Sequence, residues 1–445
     1  MAQMSTPNAI RSSEMSDQSV TEKGTEAQAV DETQEKSSEL TWRSGLALAG
    51  SALAYFCTVG FMNAYGVFQQ YYTAHYLPTY SNYQISWIGS FANFTLFAVA
   101  PLGGMLADRY GPTIPILIGS ILQVVAIFMV SLCREYYQFF LAQALLLGIG
   151  MSLVAIATST IVPMHFKKTR GTAQGISIGG SSLGGIIWPL ALDQMLNKDG
   201  ISFGWTMRII GFIMIPLLAL VLVFVRPPPK TKPARVDTIH EQQDESLKPK
   251  KDFSALRQPA FIFLCAGLAL AFFGFFAPIF YISVYATHLG FSENLAFHLV
   301  SILNAASLVG RILPGILADH YLGHFNTLTI SMVLSGVVVF CWTQATSVAG
   351  LIVWTMAYGF ASGAILSLQL ACATGLVPDS IRGAAIGAAM GSVSLTGLFG
   401  APIAGKLVEM GYGSLSGFAG AMLMGGVGMV GLSRFAKNRE LWVKA

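Results

Sequence analysis

Charge is what this chain has least of. Only 11% of its 445 residues are charged, against 53% hydrophobic, and its mean hydropathy is +0.59. An ordinary soluble domain carries about a quarter charged residues, so this chain cannot clothe a water-facing globule of its size. A bilayer, where hydrocarbon takes the place of water, removes that demand. The net charge of +4 is too small to suggest a nucleic-acid partner. Metal chemistry is missing too. Cys57, Cys133, Cys265, Cys341 and Cys372 are scattered and read as buried apolar fillers. His75, His165, His240, His288, His298, His320 and His324 show no ligand spacing. No cofactor is expected. The first forty residues lack aromatic side chains, and "SEMSDQSVTEKGTEAQAVDETQEKSSE" is rich in Ser, Thr, Glu and Gln. Such a stretch buries too little apolar area to offset its ordering entropy. It also lacks the apolar run behind a basic start that marks a signal peptide. Residues 1–44 are expected to form a disordered tail.

What is present is a series of long apolar runs. A bilayer core needs roughly 20 apolar residues at about 1.5 Å each. Twelve runs qualify: 45–73, 84–107, 112–133, 136–162, 170–194, 204–226, 258–286, 293–318, 326–345, 348–376, 383–407 and 414–435. Their length and uniform apolarity predict helices rather than the short alternating strands of a barrel. The expected fold is therefore all-α, with twelve transmembrane helices in two six-helix bundles, 45–226 and 258–436. A linker at 227–257, entered through "RPPPKTKP", divides them, and a short tail closes the chain at 437–445. An even number of spans puts both termini on one face. Arg109, Lys167, Lys168, Arg170 and Arg382, the eight from Arg226 to Arg257, and four at each end of the chain (Arg434 and Lys437 among them) put twenty-one Lys and Arg residues on that face. The other face has only Arg134, Lys198 and Lys406. By the positive-inside rule the termini and linker are cytoplasmic.

The two halves are copies. "RGTAQGISIGGSSLGG" (170–185) and "RGAAIGAAMGSVSLTG" (382–397) agree at eight of sixteen positions at an offset of 212. "GMLADRY" (104–110) and "GILADHY" (315–321) agree at five of seven at an offset of 211. Halves repeated in the same direction suit a transporter with its site at their interface. The glycines admit other uses. "GSSLG" (180–184) fits a nucleophile elbow and would make Ser182 a hydrolase nucleophile, but the copy "SVSLT" loses both glycines. A phosphate loop would need a Lys that is absent. Both copies do keep Gly171, Gly175 and Gly179, and Gly383, Gly387 and Gly391. Those are small faces that let helices approach closely in lipid.

"GMLADRYG" and "GRILPGILADHY" resemble the signature of the major facilitator superfamily. "FMNAYGVFQQYY", "HFKKTRGTAQGISIGGSSLGGIIWP" and "GWTMRIIGF" resemble the fungal branch of the monocarboxylate transporters, over roughly 42–436. The resemblance implies a secondary transporter of small organic anions or secondary metabolites. Animal members carry an intramembrane Lys in span one and an Asp before the span-eight Arg. This chain has Asn63 and Ser307 there and "LTWRSG" at the opening of span one, while Arg311 is retained. Proton–lactate symport is therefore not implied.

A charge held in hydrocarbon is costly and marks a candidate site. Arg311 is expected to meet a substrate carboxylate, with pairing to Asp319 as the structural alternative. Arg208 beside Trp205 reads as an interfacial anchor. The resemblance makes Asp108, Arg109 and Asp319 gating residues, paired with Arg170, Arg382 or helix ends. Asn63, Asn93, Gln143, Ser181, Asn304 and Gln369 are uncharged polar residues at mid-span depth, each needing a partner or a watery cavity. Asn63, Asn304 and Gln369 are the stronger substrate candidates, because spans one, eight and ten line the cavity in that superfamily. Asn93 opens a glycosylation pattern that is discounted inside a bilayer. In "FFGFFAPIFYISVY" (272–285), Phe276 and Tyr281 are candidates to stack on a flat cargo, the rest being lipid-facing filler. His298 is a packing histidine or a proton relay.

The expected protein is a monomeric multi-pass transporter, placed in the plasma membrane rather than the vacuole or another internal membrane. A solute or proton gradient would drive it, and efflux is favoured over uptake of a monocarboxylate or vitamin-like carboxylate. A membrane hydrolase built on Ser182 and a non-transporting sensor are the alternatives from other classes.

Overall fold

A computed structural model describes residues 41–228 and 253–438. Nearly all of the expected N-terminal tail, most of the linker and residues 439–445 lie outside them. All regular structure among the described residues is helical. Eleven helical segments are long and apolar enough to cross a bilayer. They are α1 (Trp42–Tyr76), α2 (Tyr83–Tyr110), α3 (Thr113–Val130), α4 (Tyr136–His165), α5 (Arg170–Lys198), α6 (Phe203–Phe224), α7 (Pro259–His288), α8 (Glu293–Leu322), α10 (Val348–Thr374), α11 (Asp379–Glu409) and α12 (Tyr412–Lys437). The twelfth, α9 (His324–Phe340), is shorter, and a 3₁₀ turn at Trp342–Gln344 extends it. All twelve expected spans are present.

Their starts follow from capping. Thr41 and Ser44 form a reciprocal box, with the Ser44 N–H donating to Thr41 Oγ1 at 3.2 Å and the Thr41 N–H to Ser44 Oγ at 2.9 Å. This box starts α1 at Trp42 and corrects the expected tail boundary at 44. Ser81 with Gln84, and Ser292 and Ser347 alone, cap α2, α8 and α10 in the same way. α1 is interrupted around Thr58 and again at Asn63–Ala64, α2 at Val99 and α11 at Val393. One irregularity explains the change of offset between the copies. "LADRYG" becomes "LADHYLG", one residue longer, and a π-helical turn at Ala318–Leu322 absorbs the extra residue. Gly111 (φ 82°) and Gly323 (φ 77°) can therefore make equivalent turns, a conformation open to glycine.

Each half buries its own aromatic core. Phe61, Phe68, Tyr72, Phe139 and Phe203 pack together in the first. In the second, Trp354 lies 5.1 Å from Trp342 and 5.5 Å from Tyr358, stacked on both. Phe212, Val223, Val353 and Leu395 stand exposed on the outer faces, where lipid would cover them. Most cysteines sit in the interior as expected. Cys341 is exposed and Cys265 only partly covered, so neither is a buried filler.

The halves meet where α2 packs on α11 and α5 on α8. A Cβ on Gly104 would lie 1.9 Å from the Gly383 carbonyl oxygen, and one on Gly175 2.2 Å from that of Arg311. Gly171 and Gly179 also face α8, and Gly383, Gly387 and Gly391 face α2. The glycines do serve close packing, and they do so between the halves. Gly104→Ala is expected to push α2 from α11 and destabilise the closed arrangement by about 1–3 kcal/mol. A lower thermal midpoint and faster thiol labelling at the linker end would register it. Gly66→Ala, where a Cβ meets nothing within 4 Å, should leave both unchanged.

Candidate functional site: a latched seam between the halves

At the linker end each half closes on the helix termini of the other. Asp108, at the end of α2, accepts from the Gly383 N–H at 2.8 Å and the Ala384 N–H at 2.7 Å on α11. Asp319, at the end of α8, accepts from the Gly171 N–H at 2.8 Å and from the Thr172 N–H and hydroxyl, both at 2.7 Å, on α5. His324 Nε2 stands 3.0 Å from the same carboxylate. A carboxylate is favoured there because a helix N-terminus offers unpaired donors and the positive end of its dipole. The arginines sit at the opposite poles. Arg382 donates to the Pro163 carbonyl at 3.1 Å near the C-terminus of α4, and its other nitrogen is 2.5 Å from Asp379. Arg170 lies by the C-terminus of α10, its Nη1 3.7 Å from where a Gly375 Cβ would be. Of the expected partners, the helix ends are the ones both carboxylates bond to. Arg109 takes no part: it is exposed and lies 5.2 Å over its own neighbour Tyr110.

Deeper in the seam, Arg311 on α8 is 3% exposed. Its Nη1 donates to the Ile178 carbonyl and to Ser181 Oγ on α5, both at 2.6 Å, and its Nε is buried without a partner. No carboxylate lies within ion-pair distance among the described residues, so the alternative pairing with Asp319 is corrected. Tyr55 on α1, bonded to Ser159 at 2.6 Å, stands within electrostatic reach of the guanidinium. One level above, two candidates converge. A Cβ on Gly185 would meet Asn304 Oδ1 at 2.7 Å and Asn63 Nδ2 at 2.9 Å. Asn304 spends its amide hydrogen on the Val300 carbonyl of its own helix, leaving Oδ1 open. Asn63, half-buried at the break in α1, bonds to no side chain or backbone group through its amide among the described residues.

Phe276 is half-buried on α7, with its ring centroid 6.3 Å from Phe97 of α2 and 5.5 Å from Phe280. The other candidates stand apart. Tyr281 donates its hydroxyl to the Ala401 carbonyl at 3.0 Å and packs α7 on α11. Gln369 is buried on the linker side, its Oε1 unpartnered. Between the linker-end latch and the open amides, Tyr55, Ala100, Ile156, Ile178, Leu370, Ile386 and Met390 form an apolar plug drawn from both halves, with Phe97 against it. Tyr55 and Phe97 were not legible as site residues, because only their contacts distinguish them from other span aromatics. His298 is exposed near the start of α8 beside Phe297, which corrects the packing reading. Arg208 lies over Trp205 at 5.2 Å, the expected anchor. Ser182 is fully buried inside the unbroken helix Arg170–Asp193, where no strand–turn–helix elbow can expose it.

Two six-helix halves, repeated in sequence and closed on each other around a buried polar seam, define a secondary transporter of the alternating-access kind. The chain belongs to the Major Facilitator Superfamily, whose profile matches residues 48–342. It is 47% identical over 410 residues to the "Agnestins efflux protein AgnL12" of Paecilomyces divaricatus, covering 92% of this chain and 91% of that one. An MFS-type transporter of Aspergillus fumigatus is 45% identical over 407 residues, with 89% and 93% covered. The aspyridones efflux protein of Emericella nidulans is 36% identical over 393, with 86% and 76% covered. The chain is accordingly a multi-pass membrane transporter and not an enzyme, and the hydrolase reading of Ser182 falls. Asp108→Asn and Asp319→Asn should each weaken the latch, since a charge-assisted hydrogen bond contributes about 1.5–3 kcal/mol. Faster labelling of a linker-end cysteine is the expected outcome, and Arg109→Gln should change it far less.

Proposed function

We propose that the protein exports a small anionic secondary metabolite through the seam between its halves, on the monocarboxylate-transporter-like branch of the superfamily. The observation that carries this is Arg311, a buried cation with no carboxylate beside it. A buried charge left without a counter-charge is destabilising by several kcal/mol, and a cargo carboxylate or enolate would supply that charge, two oxygens facing one planar guanidinium. Asn63 and Asn304 offer the cargo an open donor and an open acceptor, and Phe276 with Phe97 a flat wall. Rocking of the halves breaks the Asp108 and Asp319 caps at one end and re-forms them after release. The efflux names of the relatives support export, and the Lys/Arg bias of the connections supports a cytoplasmic linker end. A solute or proton gradient supplies the energy, and a monomer in the plasma membrane suffices for it.

Compounds inside cells and in the medium, compared with and without the protein, test cargo and direction together. Loss of an acidic aromatic compound from the medium is expected. Its accumulation there would mean uptake instead. Arg311→Gln and Arg311→Lys should each cut the flux of that compound tenfold or more at matched protein level, and unchanged flux would remove Arg311 from the site.

A further inference from the structure

The internal repeat identifies a residue that stands opposite Asn304. On α8, Asn304, Leu308, Arg311, Gly315 and Asp319 follow one another at spacings of four, three, four and four. On α2, Asn93, Phe97, Ala100, Gly104 and Asp108 do the same at an offset of 211. Such spacing puts each set on one helix face, and contacts fix both faces at the seam. Down α8 the rungs meet Gly185, Gly179, Gly175 and Gly171 of α5. Down α2 they meet Gly397, Gly391, Gly387 and Gly383 of α11, each the equivalent glycine at an offset of 212. A Cβ on Gly397 would lie 3.4 Å from Asn93 Cβ, as one on Gly185 lies against Asn304. Each asparagine precedes its latch aspartate by fifteen residues, about 22 Å of helix, so the two amides sit at matched depth on either side of the pseudo-symmetry axis.

Asn93 is half-buried, and its amide bonds to no protein group among the described residues. A mid-helix amide in a bilayer protein needs a partner. The two ladders differ just below the amides: Phe97 and Ala100 in the first half stand where Leu308 and Arg311 stand in the second. Phe97 reaches across to Phe276 and Phe272.

We propose that Asn93 is a cargo-binding residue, the first-half counterpart of Asn304, and that the pair sets the orientation of the cargo. The acidic end points to Arg311, and a flat end bearing a carbonyl or hydroxyl group lies against Phe97 and bonds to Asn93. The proposal rests on the transport reading above and adds to it the shape of the substrate: elongated, acidic at one end only, aromatic and hydrogen-bonding at the other.

Asn93→Cys, Asn304→Cys and Leu102→Cys are made in the full chain carrying Cys341→Ser, which removes the exposed native thiol. Leu102 is a control on the lipid-facing side of α2, 52% exposed. Opened membranes are treated with a membrane-impermeant cationic thiosulfonate, which reaches both faces. Labelling at 93 and 304 but not at 102 is expected: Asn304 is 5% exposed in this arrangement, and rocking of the halves opens the seam, not the lipid face, to water. In cells, Asn93→Ala and Asn304→Ala should each lower the medium level of protein-dependent aromatic acids about tenfold at matched protein level. Export of any protein-dependent acid lacking the aromatic end should fall with Asn304→Ala and not with Asn93→Ala. Silence at 93 with labelling at 304, or normal export by Asn93→Ala, overturns the proposal and leaves the transport reading standing. If no compound depends on the protein, the transport reading falls and takes the proposal with it, and continued labelling at 93 tells that result apart.

Discussion

Backbone meets backbone across the seam, and the rest of the structure follows from that contact. Gly104 against Gly383, and Gly175 against Arg311, leave no room for a methyl group. In lipid there is little hydrophobic drive to bring helices together, so close contact and polar bonds must do it. The glycines bring α2 to α11 and α5 to α8 near enough for Asp108 and Asp319 to reach the first free N–H groups of the facing helices. Remove the close approach and the carboxylates lose their donors. Remove the carboxylates and two helix N-termini are left with buried, unpaired donors. Packing and capping are one device, built twice.

That device is also reversible at small cost. Each cap joins a carboxylate to the backbone N–H groups of a helix start, and water can replace those donors once the linker end opens. An aspartate paired with an arginine in the same place would have two buried charges to solvate at every cycle. The arginines sit at helix C-termini instead, where Arg382 meets the Pro163 carbonyl.

The architecture was legible in the sequence because hydropathy and repetition are properties of the chain itself. Twelve runs, a polar divider and two aligned motifs sufficed for the fold. The start of α1 was missed by three residues because the Thr41–Ser44 box overrides the polar look of "LTWRSG". The site was legible in part. Arg311 stood out as a charge in an apolar run, and Asn63 and Asn304 as amides at the same depth. Residue type and span alone mark Tyr281 and Gln369; the structure sets Tyr281 against α11 and buries Gln369 between Leu366 and Leu370 at the level of the plug. Phe97 resembled any other span phenylalanine until its contacts with α7 were known. What sequence withholds is the azimuth of each helix, which is settled only by packing against partners far along the chain.

Comparison of the copies separates what may vary from what may not. The rungs nearest the linker end are identical in kind: Gly104 and Asp108 in one ladder, Gly315 and Asp319 in the other. Both pairs meet the first turn of the facing helix through its backbone, Gly383 and Ala384 in one case and Gly171 and Thr172 in the other, so that contact is set apart from the residues higher up. Higher up, Phe97 answers to Leu308 and Ala100 to Arg311, and here the two halves stop being equivalent. A symmetric pair of arginines would place two uncompensated cations in one buried seam, and a single anionic cargo would neutralise only one of them. One arginine facing one alanine fits a cargo with a single charge and gives the cavity a direction. The same latch can thereby serve sites of different character, since the residues that close the protein are not those proposed to face its cargo.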